Sequence, residues 1–141
     1  MNDLPLPGKE RDALVRVRIG QSFFRRAVLA AHDFRCCITG LASVELLNAS
    51  HIVPWSMDPA NRLNPQNGLC LNALHDRAFD RHLITVDTNL QILVSSDLRG
   101  RIKGSAGEDF FLKYEGQKIA TPKHFAPLKE LLAHHNKIFR G

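Results

Sequence analysis

Two stretches decide the fold: residues 49–55, Ala-Ser-His-Ile-Val-Pro-Trp, and residues 67–80, Asn-Gly-Leu-Cys-Leu-Asn-Ala-Leu-His-Asp-Arg-Ala-Phe-Asp. Residues 35–52 predict two short strands around a Thr39-Gly40 turn, and the second strand contains His51 before Pro54 stops it. Residues 54–68 hold three prolines and show no periodicity. They predict a long loop, and long loops in small domains often carry function.

Downstream of the loop, Leu69 to Asp80 predicts a lead-in segment followed by a helix. The residues expected on its buried face are Leu71, Leu74, Ala78 and Phe79. The order is therefore strand, histidine, long loop, asparagine and helix.

The flanking segments predict further elements. Residues 1–20 form a basic N-terminal arm, Pro-rich over 1–8, with Val and Ile alternating with Arg over 9–19. That alternation fits a short strand or an extended arm ended by Gly20. Residues 21–33 predict a helix with Ser22 near its N-cap and Phe24, Val28 and Leu29 on one face.

The C-terminal part predicts supporting strands and a helix over 83–141. Strands are expected at 83–86 and 90–94, a basic loop at 97–107, another hairpin at 109–120 and a final helix at about 127–138. The fold class is mixed α+β, with flanking helices and additional β-hairpins around the central segment, in a single domain of residues 1–141.

Composition narrows the class of protein. A hydrophobic content of 44% and a charged content of 23% are ordinary for a soluble globular domain. There is no apolar run of the roughly 20 residues that span a bilayer, and the first residues lack a signal-peptide pattern, so we expect a cytoplasmic protein. The formal net charge of +5 suits a polyanionic partner.

The cysteine count speaks against a disulfide framework. There are three cysteines, and Cys36 and Cys37 are adjacent, a spacing that rarely allows an unstrained bond. This agrees with a reducing compartment.

His51, at a strand end before the long loop, is the candidate general base, because an imidazole has a pKa near neutral and can remove a proton from water. A partly buried structural histidine is the alternative interpretation.

The candidate metal ligands are Asp76 and Asp80, which lie four residues apart and share a helix face. Two such carboxylates repel each other unless a cation lies between them, although solvated surface acids beside Arg77 and Arg81 remain the alternative.

Together these motifs resemble the HNH endonuclease family, in particular a bacterial branch with SHI-x-PW and NGL…FD signatures. The resemblance implies a ββα-metal finger at about residues 35–82, divalent-metal-dependent cleavage of double-stranded DNA from the minor-groove side, and a role in restriction or phage defence. It also implies that Asn67 orients the imidazole of His51, with a backbone contact in addition; an Asn-Gly turn is the alternative.

Two departures from the family pattern bear on the metal. Ser50 stands where many members have Asp or His, and Asp76 stands at the place of the last histidine of the motif, with His75 one position early. His75 is thus an alternative ligand or phosphate donor, and His82 a further candidate for which a surface histidine is the preferred interpretation. Paired Cys-x-x-Cys motifs are missing, so we expect no structural zinc and Cys36 and Cys70 as core residues.

The prediction is a DNA endonuclease using Mg²⁺, with Mn²⁺ or Ni²⁺ as alternatives. Trp55 either walls the site or anchors the loop. The alternative functions are a non-catalytic DNA-binding module and a nuclease effector that needs a separate sensor partner. The expected partner is double-stranded DNA, with a homodimer as a further possibility. The candidate phosphate-contacting residues are Arg16, Arg18, Arg25, Arg26, Arg77, Arg99, Arg101 and Lys103.

Overall fold

The structure, a computed structural model, describes residues 7–141, and its centre is a pair of antiparallel strands. Strand β1 (Leu47–His51) pairs with β2 (Gly68–Asn72) so that His51 lies opposite Gly68, and helix α2 (Ala73–Asp80) follows β2 directly. The side chain of Asn72 caps this helix by accepting a hydrogen bond from the backbone N–H of His75. The α+β fold and the predicted order of strand, long loop and helix are confirmed, whereas the segment predicted only as a lead-in to the helix forms strand β2.

The two faces of the β1–β2 pair contact different helices, because side chains alternate along a strand. Asn48 and Ser50 face α2, where both hydrogen-bond to Asp76. On the other face, His51 contacts Phe24 of helix α1 (Gly8–Ala31). Each face of the finger therefore presents a different set of candidate site residues.

Gly68 allows α1 to approach the strand pair. A Cβ at this position would lie 2.5 Å from Cγ2 of Val28 and 2.8 Å from Cζ of Phe24, closer than carbon atoms can pack. Both of these side chains are buried. The glycine is thus required by packing on the face that holds His51.

Helix α1 is longer than predicted. It begins at Gly8, so the strand or extended arm expected over 9–19 is wrong, and so is the expected N-cap near Ser22. Residues 1–6 of the Pro-rich segment lie outside the described residues. The apolar residues of the alternating stretch pack on no sheet, and Ile19 is 63% exposed. Gly20 does not end the helix; it is buried, and a Cβ there would lie 3.0 Å from Cδ2 of Leu63.

The segment before β1 is also irregular where a strand was predicted. Cys36 and Leu41 are joined by a backbone hydrogen bond of 2.9 Å around the Thr39-Gly40 turn, and the backbone N–H of Cys37 donates to the carbonyl of Cys70. The strand that pairs with β1 is β2, which lies across the long loop. Such a long-range pairing leaves no local pattern in the sequence.

A second strand pair supports the finger. Strands β3 (Ile84–Val86) and β4 (Ile92–Val94) are antiparallel, as predicted, and helix α5 (Lys129–Ile138) packs on β3. In α5, Nδ1 of His135 lies 2.7 Å from Oγ1 of Thr85, and Nε2 of the same ring donates a hydrogen bond to the carbonyl of Phe79. The predicted C-terminal helix is therefore confirmed.

Between β4 and α5 two predictions are wrong. The expected loop at 97–107 holds helices α3 (Ser96–Arg101) and α4 (Gly104–Phe110), and the side chain of Ser95 caps α3. The expected hairpin at 109–120 is a helix end and a 3₁₀ turn, with one β-bridge between Gln91 and Lys118. The glycines and charged residues of these segments are typical of a loop. The short helices form because capping and tertiary packing stabilise them more than the intrinsic helix propensity of their residues does.

The apolar core joins α1, both strand pairs, α2 and α5. Cys36, Cys37 and Cys70 are buried in it as free thiols, whereas Leu74, predicted to be buried, is 47% exposed. None of the helices in residues 7–141 combines the length and apolar character needed to cross a bilayer.

Candidate active site

His51 occupies the end of β1, where the long loop begins. Its ring stacks on Phe24 of α1 with the centroids 3.9 Å apart and the planes 6° from parallel. Trp55 meets it edge-on, with 5.7 Å between centroids. The imidazole is half-buried between these two aromatic side chains, which fix the orientation of its plane.

The proton of the His51 ring is located by one hydrogen bond. Nε2 lies 2.8 Å from the backbone carbonyl oxygen of Arg62. A carbonyl only accepts, so Nε2 carries the hydrogen and Nδ1 keeps a free lone pair. Burial lowers the pKa of His51 below its ordinary value of 6.5, and the hydrogen bond to Arg62 opposes this only in part. The ring is therefore neutral at pH 7, as a general base must be.

Asn67 does not orient the imidazole, so the predicted contact is wrong. Its Oδ1 accepts from the backbone N–H of Val53 at 2.9 Å, and its Nδ2 donates to the carbonyls of Val53 at 3.0 Å and Asn61 at 3.3 Å. Asn67 is fully buried. It joins the two ends of the long loop, and the contact that holds His51 comes from the loop backbone.

A row of polar side chains shapes the loop around Arg62. Asn61 donates to Asp58 at 2.7 Å and accepts from Asn64 at 3.0 Å. The side chain of Asn64 in turn accepts from the backbone N–H of Gln66. These bonds fix the backbone that presents the Arg62 carbonyl. The sequence carried a signal for them in the asparagines at 61, 64 and 67, spaced by three residues.

Trp55 and the side chain of Arg62 form one unit beside His51. The Arg62 guanidinium carbon lies 5.1 Å from the Trp55 ring centroid, within cation–π range. The same indole packs near Gly20 of α1. Trp55 thus both anchors the loop and walls the site, which joins the two predicted alternatives. The Arg62 side chain was not among the predicted site residues.

Asp76 lies under the other face of β1 and is partly buried. Its carboxylate accepts hydrogen bonds from Oγ of Ser50 and, at 2.9 Å, from Nδ2 of Asn48. Asp80, one turn further along α2, is exposed. The described residues contain no ion pair to either carboxylate.

The oxygen atoms of Asp76, Asp80 and Ser50 suit a hard cation that takes only a few of its ligands from the protein. Within residues 7–141 no three His, Cys, Asp or Glu side chains are arranged to enclose a metal. Mg²⁺ needs no such enclosure, since it keeps several waters and takes one or two carboxylates together with substrate phosphate oxygens. Asp76 and Asp80 supply that number, and Ser50 adds a hydroxyl oxygen.

His75 does not belong to this group, so its predicted part as ligand or phosphate donor is wrong. The side chain is buried, with Nε2 2.6 Å from the carbonyl of Phe110 and Nδ1 2.8 Å from Nδ2 of Asn72. Its ring meets Phe111 and Tyr114 edge-on. Because helix residues one position apart point in different directions, His75 faces the core while Asp76 faces β1.

His82 is likewise part of the packing. Its ring stacks on His135 at 4.2 Å between centroids, and burial lowers its pKa, with Asp80 opposing the shift. Its φ of +59° lies in the left-handed region that favours glycine.

The predicted phosphate-contacting residues fall into two groups. Three of them are held by a carboxylate or by carbonyls of another segment: Arg25 donates to the backbone carbonyls of Leu47 and Val44, Arg99 pairs with Glu115, and Arg101 pairs with Asp97. Arg26 donates only to the Ser22 carbonyl of its own helix. The others are exposed and without an ion pair in the described chain, namely Arg16, Arg18, Arg26, Arg77 and Lys103.

Comparison with known protein families finds a match in the segment that holds the candidate site. Residues 36–87, which contain β1, the long loop, β2, α2 and β3, match the family described as HNH endonuclease. A search among curated proteins finds no match. The family match indicates nuclease activity and a nucleic-acid substrate for this segment.

Proposed function

We propose that the chain is a divalent-metal-dependent DNA endonuclease with His51 as general base, since residues 36–87 match the HNH endonuclease family. The observation that carries the proposal is the hydrogen bond from Nε2 of His51 to the Arg62 carbonyl, which leaves Nδ1 free. A water at Nδ1 would lose its proton to the neutral ring as it attacks phosphorus.

The surrounding groups suit the remaining needs of the reaction. Asp76 and Asp80 would hold the metal, which when bound neutralises charge on the phosphate and the leaving oxygen. The Arg62 guanidinium, held over Trp55 beside His51, is placed to contact a phosphate in the site. Ser50 and Asn48 hold the Asp76 carboxylate in place from β1.

We propose double-stranded DNA as the substrate. The net charge of +5 favours binding to a polyanion. The five exposed basic residues described above would contact phosphates without reading the base sequence. Restriction or phage defence is the proposed setting, and it rests on the family resemblance alone.

Plasmid nicking tests the proposal. The purified chain should convert supercoiled plasmid to nicked or linear forms with Mg²⁺, Mn²⁺ or Ni²⁺ and not with EDTA. His51→Ala should abolish cutting while plasmid binding persists. The matched control is Met57→Ala, in the same loop and 57% exposed, which should cut normally. Normal cleavage by His51→Ala would overturn the base assignment.

A non-cutting DNA-binding module is the second candidate, and one observation favours it. Both oxygens of Asp76 already accept hydrogen bonds from Ser50 and Asn48, so a metal would have to share or displace these donors. Plasmid that is bound but intact with every metal would favour this module. Cutting that starts only after a second protein is added would indicate an effector that needs a sensor partner.

Ser50→Asp tests the metal site separately from the base. A third carboxylate beside Asp76 should raise affinity for Mn²⁺, measured by titration calorimetry, and lower the metal-free melting temperature through like-charge repulsion. Asp80→Asn should weaken Mn²⁺ binding. Unchanged titrations for both variants would remove α2 from the metal site.

A further inference from the structure

A groove that shares no lining residue with the candidate active site lies at the end of α1. It encloses about 710 Å³ between two segments, residues 30–40 and residues 118–124. Ligand-binding clefts have volumes of about 300–1,000 Å³, so this groove has room for one or two nucleotides. Nothing in the proposed cleavage chemistry uses it.

The groove is basic. Arg35, Lys118 and Lys123 line it with exposed side chains, and Asp33 is the acidic residue among the lining. The ion pairs found in residues 7–141 involve other side chains, so these three cations have no acidic partner within the described chain. Such a concave surface attracts anions, and phosphate in particular.

Two exposed phenylalanines belong to the segments that form the groove. Neither ring lines the groove itself: Phe34 lies between the lining residues Asp33 and Arg35, and Phe125 follows the lining residue His124. They are 46% and 51% exposed. Both have a positive φ, +54° for Phe34 and +60° for Phe125. A left-handed backbone is costly for a bulky residue, and such strain is concentrated at functional sites.

We propose that this groove binds the unpaired nucleotides of a DNA strand, with the three cations on phosphates and the two exposed phenyl rings of the adjoining residues stacked on bases that extend out of the groove. Cationic grooves with exposed aromatic rings are how proteins hold single strands without reading sequence. The proposal rests on the proposed nuclease function only in that the strand would belong to the DNA being cut. A free nucleotide offers the same phosphate and base chemistry, and the experiment separates the two sources.

Fluorescence anisotropy with a labelled oligo(dT) of about twelve nucleotides measures binding at this groove. The measurements use His51→Ala protein in EDTA, so that cleavage cannot interfere. Phe34→Ala and Phe125→Ala should each weaken binding about five- to hundredfold, the range found for loss of one stacking ring. The double variant Lys118→Ala/Lys123→Ala should reduce the slope of log affinity against log salt by about 1.4, since each lost phosphate contact in a single strand removes about 0.7.

Matched controls exclude general effects of charge and hydrophobicity. Phe110→Ala removes a ring that is 52% exposed on α4, and Lys137→Ala removes an exposed cation on α5; neither should change binding. Phe34→Tyr should bind normally. Phe34→Gly relieves the positive φ while removing the ring, so it should melt no lower than wild type and still bind weakly.

The outcomes are separable. Groove variants that bind oligo(dT) like the controls, or no binding of oligo(dT) by the parent protein, would overturn the proposal. Competition by thymidine monophosphate at concentrations near the oligonucleotide affinity would assign the groove to a free nucleotide and overturn the strand as its ligand. Plasmid nicking is read in a separate assay, so an inactive enzyme with intact groove binding would overturn the nuclease proposal alone.

Discussion

Replacement of Gly68 by Ala should damage both the stability and the candidate site of this protein. The added methyl would lie 2.5 Å from Cγ2 of Val28 and 2.8 Å from Cζ of Phe24. Both partners are at most 2% exposed, so neither side chain can swing into solvent. Phe24 is also the ring on which His51 stacks, at 3.9 Å.

The expected cost follows from this overlap. Overpacking of a close-packed core lowers the free energy of unfolding by about 1–3 kcal/mol. Replacing glycine by alanine also reduces the conformational entropy of the unfolded chain, which offsets roughly 0.4–1 kcal/mol of this loss. A net loss of about 1–2 kcal/mol remains, which lowers the melting temperature of a domain of this size by roughly 2–8 °C. Displacement of Phe24 tilts the His51 ring, so cleavage should fall more than stability alone explains.

Thermal melting followed by circular dichroism, with plasmid nicking at a temperature where both proteins are folded, measures the two effects. Gly100→Ala is the matched control, because nothing lies within 4 Å of a Cβ there and α3 is helical. That change should be neutral or stabilising by up to about 1 kcal/mol. Wild-type melting and cutting by Gly68→Ala would refute the packing argument.

Three further predictions concern protonation and the loop. Because burial lowers the pKa of His51, the acid limb of a pH–cleavage profile should lie below pH 6.5, and a limb above 6.5 would contradict a neutral buried base. Asn67→Ala leaves two backbone groups of the loop without partners and should cost about 2–5 kcal/mol by urea denaturation, with cleavage reduced; a loss below about 1 kcal/mol would disprove this pinning role. His32 and His135 have pKa values lowered to about 4 by burial, so the unfolded chain binds more protons between pH 6.5 and 4. The free energy of unfolding should therefore be full above pH 6.5 and fall as the pH drops toward 4, and a flat dependence would show that these rings are not buried neutral.

Strand β1, the long loop and helix α2 could be predicted because their signals are local. His51 at a strand end, Pro54 after it and an unperiodic loop all lie within a few residues of one another. The helix that carries Asp76 and Asp80 shows its period directly. Short helices such as α3 and α4 carry no such pattern, since glycine and charge dominate their residues.

The pairing within the site was less accessible to sequence. The sequence pattern predicts that Asn67 contacts the His51 ring. In the structure the Asn67 amide accepts a hydrogen bond from the backbone of Val53, and the His51 ring donates to the backbone carbonyl of Arg62. Any residue can supply a carbonyl, so the identity of Arg62 gives no sign of that contact. His75 and Asp76 differ by one position, and only the facing of α2 separates the buried ring from the partly exposed carboxylate.

By itself, the sequence determined the order of β1, the long loop and α2, the candidate base and the two carboxylates, because periodicity and residue chemistry are local properties of the chain. The tertiary structure decided which atoms meet: the carbonyl that holds His51, the hydroxyl and amide that hold Asp76, and the groove between residues 30–40 and 118–124. These contacts join residues up to about ninety positions apart. They depend on how helices and strands pack, which close-packing fixes only when the whole chain has folded.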